Sequence, residues 1–204
     1  MATKWLKKVD HVTYAVADIR KWAWYHIEVE GGELINRIDD VMPESPDSSM
    51  KLWCVDYGNF GIALVEGIDR KKESQVTTFV KRHGDHSVQH VAYGVNTLDS
   101  FMNHLSDFNC HPRGETLVRN DGFGPVKQVF GKGYQEEEDP ANTSFPEYVE
   151  RPGRGTHEGE ITFSQKFGKG FYSQIEEARE KHDRETLIDF SRMPRQWEPV
   201  LVKR

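Results

Sequence analysis

Two of the nine histidines occupy matching places along the chain: His11 in VDHV and His90 in VQHV. Each stands third in a run of alternating apolar and polar residues. Alternate side chains on a strand share a face, so His11 is expected beside Val9 and Thr13, and His90 beside Val88 and Ala92. An imidazole on an apolar face needs a partner, because a buried polar group without one costs about 1–3 kcal/mol. One shared metal ion would satisfy both rings. A third ligand then has to come from another strand facing the same space. In FPEYVERP, Glu147 shares a face with Phe145 and Val149, and Glu150 falls on the opposite face with Tyr148. Two imidazoles and one carboxylate form a facial set that leaves positions on octahedral Fe(II) for substrate and O₂. Zn(II), Mn(II) or Ni(II) could occupy the same set.

The elements that must carry these ligands are repeated. Residues 9–32, VDHVTYAVADIRKWAWYHIEVEGG, and residues 88–111, VQHVAYGVNTLDSFMNHLSDFNCH, each open as a strand, meet a polar break and turn to helical spacing. Asp18 and Asn96 are expected as N-caps or turn residues near the helix starts. Trp22, Trp24, Ile27 and Val29 supply apolar bulk to the first helix. Leu98, Phe101, Met102 and Leu105 give the second a stripe at i, i+3, i+4 and i+7. Three strand-like runs follow each helix: LINRIDDV, MKLWCVDYG and FGIALVEG, then ETLVRN, PVKQVFG and FPEYVERP.

The pattern is β-α-β-β-β twice, with the two opening histidines 79 positions apart. It predicts an α+β fold of two βαβββ modules about a pseudo-twofold, with a cleft between them. A single domain is expected, with module 1 over about 7–68, a linker over 69–86, module 2 over about 87–152, and a C-terminal lid helix and tail over 153–204. The linker carries a short amphipathic piece around Val76, Phe79 and Val80. The lid helix is expected over SQIEEAREKHDRETL, with a thin apolar face of Ile175, Ala178 and Leu187.

Composition narrows the classes of function. The 204 residues are 36% hydrophobic and 29% charged, and eleven Phe, seven Tyr and five Trp supply enough bulk for a core. The formal net charge of −6 and the absence of a basic block argue against nucleic acid as a partner. Cys54 and Cys110 make no disulfide framework and read as packed thiols. The N-terminus has no apolar signal region, and no run reaches the roughly 18 apolar residues of a membrane span. A cytoplasmic location without membrane association is the expectation.

Five segments in order, VDHV, SQVTTFVKRHGDHSVQHVAYGVNTLD, KQVFGKGY, SFPEYVER and FGKGFYSQIEEAREK, resemble successive motifs of 4-hydroxyphenylpyruvate dioxygenase. They match its C-terminal, metal-bearing half and extend over most of residues 9–187. The resemblance implies the vicinal-oxygen-chelate fold and Fe(II) held at His11, His90 and Glu147. It implies a 2-oxo acid as substrate, oxidatively decarboxylated and hydroxylated with O₂. It also implies substrate contacts from Gln75, Gln89 and Gln128, and an aromatic lining of Phe130, Phe145 and Phe167, with Tyr172 alongside.

The family's N-terminal half has no counterpart here, which makes a homodimer an expectation. Phe171 stands where the family has Asn in G-K-G-N-F, and the Ser and Asn of its first-module strands have no match. A smaller or less polar substrate than 4-hydroxyphenylpyruvate is therefore expected. The alternatives are an extradiol-type dioxygenase, an isomerase of the same fold, or a non-catalytic small-molecule binder. The isomerases would need a fourth ligand at the first-module position matching Glu147, near Glu66.

Overall fold

The computed structural model describes residues 5–120, 125–151 and 165–183. Module 1 runs β1 (Leu6–Val16), α1 (Ile19–Trp24), β2 (Glu33–Ile38), β3 (Ser48–Asp56) and β4 (Gly61–Asp69). After α2 (Gln75–His83) comes module 2: β5 (Ser87–Val95), α3 (Leu98–Asp107), β6 (Leu117–Asn120), β7 (Pro125–Phe130) and β8 (Phe145–Glu150). The last described element is α4 (Gln165–Glu180). One eight-stranded sheet has the order β2-β3-β4-β1-β5-β8-β7-β6. β1 and β5 are its antiparallel seam, and each pairs in parallel with the last strand of its own module, β1 with β4 and β5 with β8. The repeat read from the sequence is thus a pseudo-twofold between β1 and β5.

The sheet has two packed faces. On the outer face, α1 buries Ile19 and Ala23 against Trp53, Val55, Ile62 and Leu64, and α3 buries Leu98 and Phe101 against Val129 and Tyr148. On the inner face one cluster joins Met50 and Leu52 of β3 to Phe130 of β7, together with Phe79 of α2 and Phe171, Tyr172 and Ile175 of α4. β3 and β7 lie five places apart in the strand order. They can share a core only because the sheet curls, as twisted sheets do.

Glu66 and Glu150 have the same outer-face task. The Ile19 N–H at the start of α1 donates to Glu66 at 2.7 Å, and the Leu98 N–H at the start of α3 donates to Glu150 at 2.6 Å. Each carboxylate satisfies an orphan donor and complements the helix dipole. Glu150→Ala is therefore expected to lose about 1–2 kcal/mol of stability in urea unfolding, with metal binding unchanged. Unchanged stability would remove this capping role.

Several sequence expectations shift locally. Asp18 caps α1, accepting from the Arg20 and Lys21 N–H groups, and Asn96 is a turn residue ahead of α3, whose cap position is held by Thr97 without a side-chain capping bond. Glu150 supplies that satisfaction from across the sheet. The first helix continues as a π-helical turn, Tyr25–Val29, which rotates the later residues relative to α-spacing. Trp24 and Val29 consequently lie on the surface and His26 is buried. Helix α4 begins at Gln165, eight residues before the stretch read as helical. Its buried side chains are Phe171, Tyr172, Ile175 and Ala178, a thicker apolar face than expected, while Leu187 lies outside the described residues. Cys54 is a packed thiol, with its pKa pushed up by burial, and Cys110 is a half-buried thiol that meets the Phe108 carbonyl. Among the described residues no helix is long and apolar enough to cross a membrane.

Candidate metal centre

Strand register brings the three proposed ligands together. His11 pairs with Ala92 across the β1–β5 seam, and Ala92 pairs with Glu147 across β5–β8. A single methyl group thus separates the imidazole strand from the carboxylate strand on that row. One row along, Thr13 pairs with His90, and His90 with Phe145. Nε2 of His11 lies 3.2 Å from Oε2 of Glu147, and Nε2 of His90 lies 3.3 Å from the same oxygen. One ligand atom from each residue falls within 4.8 Å of the others, and all three residues are buried.

The seam carries three register shifts, and the two beside the histidines are reciprocal bulges that overturn part of the expected alternation. β1 advances from Val9 to His11 while β5 advances from Tyr93 to Ala92, so Asp10 is an extra residue. At the other end β5 advances from Val88 to His90 while β1 advances from Tyr14 to Thr13, so Gln89 is extra. A bulge turns two successive residues to one side. Asp10 and His11 are both buried, as are Gln89 and His90, whereas Val9 and Val88 are exposed. The expected neighbours Thr13 and Ala92 do share the histidine face; the two valines do not.

Asp10 was not singled out in the sequence, yet it is the residue that orients His11. The Nδ1–H of His11 donates to Oδ2 of Asp10 at 3.0 Å. Arg151 in turn donates to both Asp10 oxygens, at 2.8 and 3.0 Å. Burial works against ionising Asp10, but the His11 and Arg151 hydrogen bonds hold its carboxyl well below the usual carboxylate range. A carboxylate on the far nitrogen fixes tautomer and ring angle, and such partners are typically worth 10–100-fold in metal affinity. Asp10→Asn is accordingly expected to weaken metal binding by about 10–100-fold in anaerobic calorimetric titration. An unchanged Kd would mean that His11 is oriented without this carboxylate. The available sequence signal was a polar residue immediately before the histidine in both repeats.

The triad is electrostatically prepared for a cation. Burial opposes charge on His11, but Glu147 and Asp10 outweigh it and raise its pKa to about 9. Burial likewise opposes charge on Glu147, while the His11 charge and hydrogen bonds from both imidazoles bring it down to about 2. Burial keeps His90 below its ordinary value. No hydrogen-bond partner satisfies Oε1 of Glu147 or Nδ1 of His90 among the described residues. A buried carboxylate with an open oxygen between two imidazoles fits a metal ion by donor type and by its unmet bonding capacity. At the module-1 position matching Glu147 stands Ala63, paired with Thr13 as Glu147 is with Ala92. Glu66 matches Glu150 instead and serves α1. The pseudo-twofold therefore supplies no fourth carboxylate.

The remaining candidate residues fall into two groups. Phe130, Phe145 and Phe171 surround His90, with ring centroids 5.9, 5.0 and 5.3 Å from its imidazole. Gln128 is buried on the Phe130 face of β7, one row from Glu147, and its Nε2 has no partner among the described residues. Gln89 is buried at the bulge with Oε1 likewise unsatisfied. Gln75 and Tyr172 engage structural partners. Gln75 donates through Nε2 to the Tyr172 carbonyl at 3.3 Å, although its Oε1 has no partner. The Tyr172 hydroxyl meets Ser48 at 2.5 Å and Ser74 at 3.3 Å. These contacts clasp α4 to β3 and to the start of α2. Phe167 lies in the first turn of α4, and its side chain is outside the described residues.

Helix α4 closes the inner face over the triad. A Cβ on Gly168 would stand 2.9 Å from Val41 Cγ1, and one on Gly170 would stand 3.1 Å from Leu117 Cδ1. The glycines of F-G-K-G thus let the helix approach both sides of the opening. Between α4 and His90 remains a cavity of ≈ 10 Å³, roughly the space of one water. A larger ligand requires α4 or its side chains to move.

Neither a family model nor a curated protein sequence matches this chain. Solved structures do. A variant of 4-hydroxymandelate synthase from Streptomyces coelicolor superposes with a TM-score of 0.68 at 18% identity, over 86% of this chain and 55% of that one. Methylmalonyl-CoA epimerase from Mycobacterium tuberculosis gives 0.51 at 23% identity, over 74% and 93%. A hypothetical protein from Bacillus halodurans C-125 gives 0.53 at 17% identity, over 72% and 96%. The chain spans about half the length of the synthase. At these identities the likeness concerns the fold: the chain has the vicinal-oxygen-chelate fold, and the solved structures that share it include enzymes.

Proposed function

We propose that the chain is a mononuclear Fe(II) dioxygenase of the 4-hydroxyphenylpyruvate dioxygenase type, acting on a 2-oxo acid. The observation that carries this reading is the buried His11–His90–Glu147 set, whose carboxylate has an open oxygen and whose imidazoles converge on the other. The ordered motifs of the dioxygenase family and the likeness to a 4-hydroxymandelate synthase support iron over a redox-inert ion. Ala63 at the fourth-ligand position weighs against an isomerase.

His11, His90 and Glu147 would hold the metal, with Asp10 fixing the His11 ring. When bound, Fe(II) supplies O₂ activation coupled to decarboxylation of the 2-oxo acid. His11 would give up the proton on Nε2 to act as a ligand, since an imidazole ligates in its neutral form, while its Nδ1–H keeps donating to Asp10. Phe130, Phe145 and Phe171 exclude water and pack the substrate tail. Gln89 and Gln128 offer buried amides to orient the substrate, and Gln75 and Tyr172 keep α4 seated as the wall.

The direct test is anaerobic reconstitution with Fe(II), followed by O₂ consumption and CO₂ release over a panel of 2-oxo acids. Stoichiometric iron and coupled consumption with at least one acid are expected. A protein that takes up no Fe(II) would sink the oxygenase reading in favour of a metal-free binder. Iron uptake with turnover of catechols alone would favour the extradiol alternative.

A further inference from the structure

The cavity beside His90 is walled mainly by carbon: Leu52, Ala63, Val65, Phe130 and Phe171. Thr13 also lines it, as the one hydroxyl-bearing residue among the described lining. Thr13 is buried at 1% exposure, and its Oγ1 has no hydrogen-bond partner among the described residues. It sits on β1 directly opposite His90. A buried hydroxyl without a partner opposes folding, whereas a valine would fill nearly the same volume without that penalty. The repeat provides an internal comparison, because the matching position in module 2 is Ala92. The seam therefore forms without a hydroxyl at that place. What Thr13 adds is one O–H donor at the wall of the site, beside a metal ligand.

Within the reading of the site as a 2-oxo acid centre, we propose that Thr13 is the specificity-determining residue that positions the substrate's head, and that the substrate's tail is a bare hydrocarbon. A 2-oxo acid head presents only acceptors, the keto and carboxylate oxygens, which complement a lone O–H donor. Apart from Thr13 and the His90 ring, the described lining of this cavity is hydrocarbon. A phenol hydroxyl pushed against Leu52, Ala63 and Val65 would lose its water without a replacement. Alkyl and phenyl 2-oxo acids suit this wall, and hydroxyaryl acids do not.

Binding to the Zn(II)-loaded protein under anaerobic conditions separates positioning from turnover. The probes are 3-methyl-2-oxobutanoate, 4-methyl-2-oxopentanoate, phenylpyruvate and 4-hydroxyphenylpyruvate, titrated calorimetrically into wild type, Thr13→Val and Thr13→Ser. Wild type is expected to bind phenylpyruvate about tenfold or more tighter than 4-hydroxyphenylpyruvate. Thr13→Val is expected to weaken all acids that bind by about tenfold, and Thr13→Ser to restore most of that affinity. Zn(II) uptake of Thr13→Val should match wild type and its melting temperature should equal or exceed it, because the valine removes an unsatisfied buried hydroxyl; a hydroxyl with a structural role would instead show a lowered melting temperature. Equal affinities of wild type and Thr13→Val would overturn the role of Thr13 while leaving the 2-oxo acid reading intact. Equal or tighter binding of 4-hydroxyphenylpyruvate would overturn the hydrocarbon tail. A Zn(II)-loaded wild type that binds none of the four acids would overturn both this proposal and the reading beneath it.

Discussion

Glu147→Gln is expected to lose stoichiometric metal and the stabilisation that metal confers. The wild-type carboxylate lies 3.2 and 3.3 Å from the two imidazole nitrogens, and its open oxygen has no other donor among the described residues. A glutamine keeps the shape but removes the charge that neutralises a dication, and it turns an N–H₂ group toward the imidazoles. A ligand at 100 times its Kd stabilises the folded state by about 2.7 kcal/mol. For a domain of this size that corresponds to a rise of roughly 5–10 °C in melting temperature. Wild type should show such a rise with Fe(II) or Mn(II), and Glu147→Gln should show none, with elemental analysis confirming the missing ion. Glu150→Ala is the matched control three residues on, since it serves α3 from the other face. A variant at 147 that retained both metal and shift would remove Glu147 from the ligand set.

Phe171→Ala should produce the largest loss of stability among single changes at the lid. The ring lies 4.8 Å from Phe130 and 6.0 Å from Phe145 by centroid, and it closes the cavity over His90. Emptying a buried phenylalanine site costs about 3–5 kcal/mol, because both transfer energy and packing are lost. The expected fall in melting temperature is roughly 6–20 °C, read by calorimetry on metal-free protein so that ligand linkage does not enter. The enlarged cavity should also admit small apolar molecules, detectable as a melting shift with benzene. A loss below about 1 kcal/mol would mean that the surroundings collapse onto the vacated space and that Phe171 is not the closure.

The two predictions probe opposite sides of one design. The sheet brings His11, His90 and Glu147, the proposed ligands, together through register, on strands that belong to different modules. The lid provides the dry wall from a segment far along the chain. Asp10, Arg151 and Thr13 belong to the sheet side, and Gln75 and Tyr172 belong to the clasp that seats the lid. Activity changes at the first set should follow metal and head-group binding, and those at the second should follow stability and access.

The sequence by itself determined the repeat, and with it the pairing of His11 with His90, because hydrophobic alternation and helical spacing are local properties written every few residues. It also separated Glu147 from Glu150, since a strand sends neighbours to opposite faces. Tertiary structure alone decided the rest. The bulges at Asp10 and Gln89 arise where two strands meet out of step, so a period-of-two reading of either strand missed them and placed Val9 and Val88 inside. Helix α4 starts two residues before F-G-K-G and runs through it, where glycine propensity disfavours helix; close approach to Val41 and Leu117 makes those glycines useful and overrides the local preference. Asp10 meets Arg151, 141 residues away, because the strand order sets β8 one strand from β1, and Tyr172 meets Ser48 because α4 packs across the inner face onto β3. Contacts of that range have no local signature, and they fix how the three ligands are held.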